Sequence, residues 1–206
     1  MKTLLQIRSS IFSDGGQSSR LAERFIARWR DENPGGRVTV RDVDREAVPH
    51  LDASRFAAFT AKPTERTPEQ KAVVTFSDAL ISELKAADVV VIALPMYNFG
   101  VPSTLKAYFD HIARAGETFR YTEKGAVGLV SGKRVYVFAA RGGLYAGTPR
   151  DSQTAYVRDF LAFLGMTEVE FVYAEGLAIS EASKQQGLGK AHAHIDRLAA
   201  PEPAAA

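Results

Sequence analysis

The sequence predicts an α/β protein built on a doubly wound, five-stranded parallel sheet with helices on both faces. Two observations lead there. Apolar β-branched runs alternate with amphipathic stretches along the 206 residues, and such alternation gives a parallel sheet wound by right-handed crossovers. The central run, Asp88 to Leu94 (DVVVIAL), is apolar almost throughout, which marks a strand covered on both faces.

Leu4, Leu5 and Ile7 form the first short strand, followed by a polar loop rich in Ser and Gly. Leu21, Phe25 and Trp29 then recur every four residues, with Ile26 beside them, and give a helix with one apolar face. Asn33-Pro34-Gly35-Gly36 stops it. Val38, Val40 and Val43 suggest a second strand, at an edge because Asp42 and Asp44 interrupt it. Asp44 to Arg66 reads as a loop with room for one short helix. Thr67-Pro68-Glu69-Gln70 has the capping-box form: Thr67 caps, Pro68 takes the first helical position, and Gln70 reaches back. The DVVVIAL strand comes next, then a helix from Thr104 to Ala115 ended by Gly116. Gly116 to Lys133 reads as a long glycine-containing loop. Val135 to Ala140 is the fourth strand, and a helix through Tyr156, Phe160, Leu161 and Leu164 ends at Gly165. Val169 to Tyr173 is the last strand and Ser180 to Leu198 the last helix. The count is about five strands and five helices. Residues 1–200 read as a single domain, and 201–206 (PEPAAA) as a frayed tail.

Composition narrows the function classes. A 46% hydrophobic, 24% charged chain is ordinary for a globular domain. Its net charge of +2 carries no basic excess that would call for nucleic acid. No apolar stretch approaches about 18 residues, and the opening MKTLLQIRSS lacks a signal-peptide core, so no membrane partner is expected. The cysteine count of 0 excludes a disulfide framework, a thiol nucleophile and a thiolate metal site. It suits a cytoplasmic protein. His192 and His194 are two apart on a helix and point in different directions, so no metal site is expected. His111 reads as a packed or solvated histidine. No dinucleotide fingerprint, P-loop or nucleophile elbow is present.

In doubly wound sheets, ligands bind beyond the carboxyl ends of the strands. Three loops therefore matter. The first, RSSIFSDGGQSSRL, leads into a helix whose free amides attract anions. Ser10, Gln17, Ser18 and Ser19 offer further donors; equally, Ser18 or Ser19 serves as an ordinary N-cap. The second loop runs from Pro95 and holds Met96, Tyr97, Asn98 and Phe99. Aromatics there either fill core or flank a flat ring, with Asn98 and nearby amides at its polar edge. The third begins Arg141-Gly142-Gly143. The glycine pair admits a close backbone approach, and Arg141 either stabilises a negative ligand or is solvated. Together the loops describe a phosphate end, an aromatic sandwich and a close backbone wall, which fits flavin mononucleotide (FMN).

At these residues the chain resembles the FMN-dependent NADH-azoreductase and NADH:quinone oxidoreductase family. The likeness rests on Pro95-Met96-Tyr97-Asn98-Phe99 and the following STLKAYFDHIARAGETFRYTEKG, on Arg141-Gly142-Gly143, and on the opening Ser-Ser and Gln-Ser pairs. It extends from Met1 to about Leu198. The resemblance implies a flavodoxin-like fold, a homodimer, and one non-covalent FMN per subunit at the dimer interface. Ser10, Gly16, Gln17 and Ser18 then resemble the phosphate binders. Met96, Tyr97, Asn98 and Phe99 match the isoalloxazine loop, and Ala140, Arg141, Gly142 and Gly143 the segment meeting the flavin from the next strand. Tyr121 is similar to the aromatic that overhangs the flavin, or is simply a packed loop ring. Phe163 is similar to the aromatic supplied by the partner subunit. Gly16 and Ala140 depart from the family by lacking hydroxyls that relatives often carry there, so backbone contacts are expected at both.

The activity implied is a two-electron reduction of flat aromatic acceptors, quinones and azo dyes, by NADH or NADPH in a ping-pong cycle. The cofactor carries the redox chemistry, so no catalytic acid–base residue is expected. Two alternatives share the topology. Electron-carrier flavodoxins are usually shorter and acidic. Phospho-acceptor regulators need an acidic pair where Arg8-Ser9-Ser10 stands.

Overall fold

The computed structural model of the chain describes residues 1–198. Residues 199–200 of the expected domain, and the expected tail at 201–206, lie outside the described residues.

Five parallel strands form one sheet in the order β2-β1-β3-β6-β7. They are β1 (Thr3–Arg8), β2 (Arg37–Asp42), β3 (Val89–Pro95), β6 (Arg134–Ala140) and β7 (Glu168–Ala174). Six helices accompany them: α1 (Gln17–Glu32), α2 (Ala53–Thr60), α3 (Pro68–Ala86), α4 (Ser103–Ile112), α5 (Thr154–Leu164) and α6 (Glu181–Leu198). A separate antiparallel hairpin is made of β4 (Phe119–Thr122) and β5 (Gly125–Gly128). The chain order reverses between β1 and β3, and that switch point opens a crevice at the carboxyl ends of the strands.

The central strand β3 is buried at all seven residues. Its alternation divides the core. Val90, Ile92 and Leu94 join the layer containing Leu80, Leu84, Phe109 and Leu161, from α3, α4 and α5. Val89, Val91 and Ala93 join the opposite layer, with Leu21, Phe25, Ile26 and Trp29 of α1 and Ile195 of α6. Each large apolar side chain so buried contributes roughly 1.5–3 kcal/mol, so the apolar stripe of α1 is enough to fix that helix on the sheet. β2 lies at the edge, as its interrupted pattern predicts, with Val40 exposed.

Local signals act as expected at several ends. Thr67 accepts from Gln70 N at 3.3 Å while Gln70 Oε1 accepts from Thr67 N at 3.1 Å, the reciprocal capping box. Gly165 closes α5 with φ of 101°, a left-handed value that suits glycine.

Three expectations need correction. The segment 116–133 is not all loop: Phe119–Thr122 pairs with Gly125–Gly128, and Gly128 approaches Gly165 so closely that a Cβ would meet Gly165 N at 2.1 Å. The stretch 44–66 does hold the one short helix allowed for it, α2, which Asp52 caps by accepting from Arg55 N at 2.8 Å. The predicted helix Thr104–Ala115 stops at Ile112, because Thr118 Oγ1 donates to Ile112 O and accepts from Arg114 N at 3.0 Å. Neither Ser18 nor Ser19 caps α1; Gly16 is the N-cap and supplies no side chain.

Candidate functional site

The three loops predicted to matter meet at the carboxyl end of the sheet. The first runs from Ser9 to Gly16 and feeds α1. With Gly16 as N-cap and no capping side chain, the first-turn amides of Gln17, Ser18 and Ser19 find no acceptor among the described residues. The hydroxyls of Ser18 and Ser19 are fully buried and have no hydrogen-bond partner. Buried polar atoms are normally paired. Free amides at the positive end of a 16-residue helix, with two orphaned hydroxyls beside them, are the donor set that an anion satisfies. Gly16 has a local reason to lack a side chain: a Cβ there would lie 2.2 Å from Ser10 Oγ. The Ser10 hydroxyl fills the space that a serine at 16 would need.

The second loop is tied to the first through Tyr97. Its hydroxyl lies 3.3 Å from Ser10 Oγ and accepts from Ile11 N at 3.2 Å. Tyr97 and Gly100 pair backbone to backbone, with Gly100 N donating at 2.9 Å. Between them Asn98 and Phe99 have φ of 50° and 63°. Asn tolerates this left-handed region, but Phe does not readily. Such a conformation costs on the order of 1–3 kcal/mol and survives where surroundings enforce it. The enforcement comes from the start of α5. The Gln153 side-chain amide donates to Pro95 O and Gly100 O, both at 2.9 Å, and Ser152 Oγ donates to Phe99 O. The result is an aromatic ring held half in solvent, 5.3 Å from the ring of Tyr145.

The third loop supplies a wall of backbone. The carbonyls of Arg141, Gly142 and Gly143 accept from the amides of Leu177, Ala178 and Gly176 at 3.2, 3.0 and 2.9 Å. The amides of Gly142 and Gly143 find no acceptor among the described residues. Met96, Asn98, Phe99, Gly142, Gly143 and Tyr145 line one cleft of about 250 Å³. A larger cavity of about 530 Å³ includes Lys2, Asp88 and Arg134 in its lining. It lies at the amino-terminal ends of the strands, the wrong end for ligand binding in this architecture.

The structure corrects the solvated reading of the Arg141 side chain. It is wholly buried, with Nη2 donating to Asp151 Oδ1 at 2.9 Å and Nη1 to Glu175 Oε1 at 3.2 Å. Its guanidinium also lies 5.0 Å from the centroid of the Tyr173 ring. Its own amide donates to Ala174 O, so the residue supports the wall from behind. Burial alone would raise the Asp151 carboxyl, yet hydrogen bonds from Arg141 and Thr154 hold it below the usual carboxylate range.

Ala140 sits at the end of β6, buried, with its carbonyl accepting from Met96 N at 3.0 Å. Tyr121 and Phe163 are not among the residues lining the cleft. Tyr121 is exposed on the hairpin, edge-on to Phe119 at 5.6 Å, and Phe119 packs on Phe163 of α5 at 4.3 Å. Sequence reasoning missed Tyr145, Asp151, Gln153 and Glu175. Tyr145 stood in a loop already singled out and was the one signal available. The other three act at sequence separations of 10 to 58 residues.

Comparison with known proteins agrees with the geometry. Residues 1–198 match a family model described as the flavodoxin-like fold. A Cellvibrio japonicus protein named FMN-dependent NADH:quinone oxidoreductase is 54% identical over 197 residues, covering 96% of this chain and 98% of its own length. This chain belongs to the flavodoxin-like NADH:quinone oxidoreductase family. A second family member, FMN-dependent NADH:quinone oxidoreductase 6 of Burkholderia lata, is 55% identical over 95% of this chain and 98% of its own. Among solved structures, an azoreductase from Bacillus anthracis superposes with a TM-score of 0.89 at 26% identity, covering 97% of this chain and 99% of that one. A B. anthracis FMN-dependent NADH-azoreductase, solved in complex with FMN, gives 0.85 at 27% identity, over 97% of this chain and all of the other. No helix among the described residues is long and apolar enough to cross a membrane.

Proposed function

We propose that this chain is an FMN-dependent NADH:quinone oxidoreductase that also cleaves aromatic azo compounds. The observation that supports it is the set of unspent donors at the two ends of one crevice. Gln17, Ser18 and Ser19 amides, with the buried hydroxyls of Ser18 and Ser19, stand at one end. The Gly142 and Gly143 amides stand at the other. An FMN phosphate suits the first group and the pyrimidine edge of the ring suits the second. Met96, Tyr97, Asn98 and Phe99 lie between.

When bound, FMN would supply two-electron transfer from a nicotinamide donor to a flat acceptor, one turnover for a quinone and two turnovers, with two NADH and protons from solvent, for cleavage of an azo bond to two amines. The chain's own residues do the rest. Ser10, Gln17, Ser18 and Ser19 hold the phosphate, by amides and hydroxyls rather than by a lysine, and Gly16, whose own amide donates to Ser13 O at 3.3 Å, gives it room by lacking a side chain. Asn98 and the glycine amides orient the ring, and the exposed ring of Phe99 limits water at its edge. Fixed N–H donors at the pyrimidine edge favour negative charge developing there. No side chain is required to move a proton to the donor. NADH and the acceptor use the same open face in turn, a ping-pong order, with NADPH as the other candidate donor. Tyr121 overhangs the ring, and Phe163 reaches the site of the second copy in a homodimer. The lack of cysteine suits a cytoplasmic setting.

The test is steady-state NADH oxidation with a quinone panel and with azo dyes, on FMN-loaded protein. Parallel lines in double-reciprocal plots are expected for each acceptor. A flavin-loaded protein that oxidises no NADH in the presence of any acceptor would leave an electron carrier instead. Sedimentation should give a dimer; a fully active monomer contradicts the role of Phe163.

A further inference from the structure

We infer that Glu175 is the positioning residue that shapes the Gly142–Gly143 wall toward the cofactor. This rests on the flavin reading above.

A glycine pair does not hold a wall by itself, since glycine leaves the backbone free. One carboxylate oxygen fixes the side of this loop that follows the glycine pair. Glu175 Oε1 accepts from Tyr145 N and Ala146 N, both at 2.9 Å, and from Arg141 Nη1 at 3.2 Å. Glu175 follows the last residue of β7. The next three residues, Gly176, Leu177 and Ala178, donate their amides to the carbonyls of Gly143, Arg141 and Gly142. The end of β7 therefore takes up three carbonyls of the loop through its backbone and two amides through the Glu175 side chain. By elimination, Gly142 and Gly143 keep their N–H groups for a ligand. Tyr145, which lines the same cleft, is drawn in by the same bond.

The charge of Glu175 is held by Arg141, whose guanidinium is shared with Asp151. Thr154 Oγ1 accepts from the same guanidinium at 3.1 Å. Thr154 opens α5, next to Gln153, which clamps the second loop at Pro95 O and Gly100 O. One buried network thus joins the two loops that face the ring. A buried charge of this kind is strongly disfavoured if unpaired, so the arrangement has little freedom to slide.

Two substitutions separate reach from charge. Glu175→Gln keeps an oxygen at the same distance and loses the charge. Glu175→Asp keeps the charge and falls short of Tyr145 N and Ala146 N. The positioning role predicts that the Asp variant binds FMN about tenfold or more weaker, through the loss of two hydrogen bonds to a fixed loop. Its bound flavin should also show a shifted visible band. The Gln variant should stay within about threefold of the parent, with the parent spectrum. Amide exchange read by NMR gives the same contrast in the cofactor-free protein: Tyr145 and Ala146 should exchange faster in the Asp variant and not in the Gln variant. An Asp variant that behaves as the parent, or a Gln variant as impaired as the Asp one, overturns the inference. A parent protein that takes up no FMN overturns the flavin reading instead, and the exchange measurement still decides the role of Glu175.

Discussion

Replacing Ser18 by Ala should move the free and FMN-loaded proteins in opposite directions. In the structure the Ser18 hydroxyl is wholly buried and has no hydrogen-bond partner. An unsatisfied buried polar group costs about 1–3 kcal/mol. Its removal should therefore leave the cofactor-free protein equally stable or more stable. On the proposed function, the same hydroxyl donates to a phosphate in the loaded protein. A hydrogen bond to a charged group contributes about 1.5–3 kcal/mol, and each 1.4 kcal/mol is tenfold in affinity. The FMN dissociation constant should then rise by roughly 10- to 150-fold. Urea unfolding of the free protein and flavin-fluorescence titration of the same sample give the two readings. The reasoning is refuted if the variant unfolds more easily while binding FMN as tightly as the parent. That result would make Ser18 an internal structural hydroxyl and leave the α1 amides as the sole anion donors.

Other outcomes follow from the surrounding structure. Gln153→Leu removes the donor to Pro95 O and Gly100 O and should cost about 1–3 kcal/mol in urea unfolding; unchanged stability and FMN affinity would show that the Asn98–Phe99 turn holds itself. His111 lies edge-on between Phe59 and Phe76, with Nδ1 3.0 Å from Ala107 O. Burial pushes its pKa down, with Arg55 adding to that and the Ala107 contact, Asp110 and Asp52 opposing. The folded state thus binds the proton less well than the unfolded chain. Stability is full above the ordinary histidine value of about 6.5 and falls as pH drops from there through the lowered folded value. His111→Phe should flatten that part of the pH profile; an unchanged slope would assign it to other groups.

Much of the fold was legible because the strongest signals are local. DVVVIAL could only be a strand with both faces covered, and Thr67-Pro68-Glu69-Gln70 marked the start of α3 to the residue. The hairpin was not legible. Arg120 and Tyr121 on β4, and Gly125, Ala126 and Val127 on β5, are exposed, so no buried face imposes alternation on the sequence. The three loops were legible from topology, because strand ends in such sheets are where ligands go. Their internal order was not. Arg141 after a strand reads as a ligand contact or a solvated charge; its two carboxylates stand 10 and 34 residues further on, and only the folded chain brings them under it. The same holds for Gln153, whose two acceptors lie 58 and 53 residues back. Side chains that build a site from behind leave little trace in the segment they support.

On the proposed function, the free donors of α1 and of the glycine loop serve one mononucleotide. Titration of the cofactor-free protein with FMN, followed by flavin fluorescence and visible absorption, tests it most directly. Saturation at one flavin per chain, abolished by competing riboflavin only at far higher concentration because riboflavin lacks the phosphate, is the expected result. A protein that stays colourless, or that binds riboflavin as tightly as FMN, would contradict it.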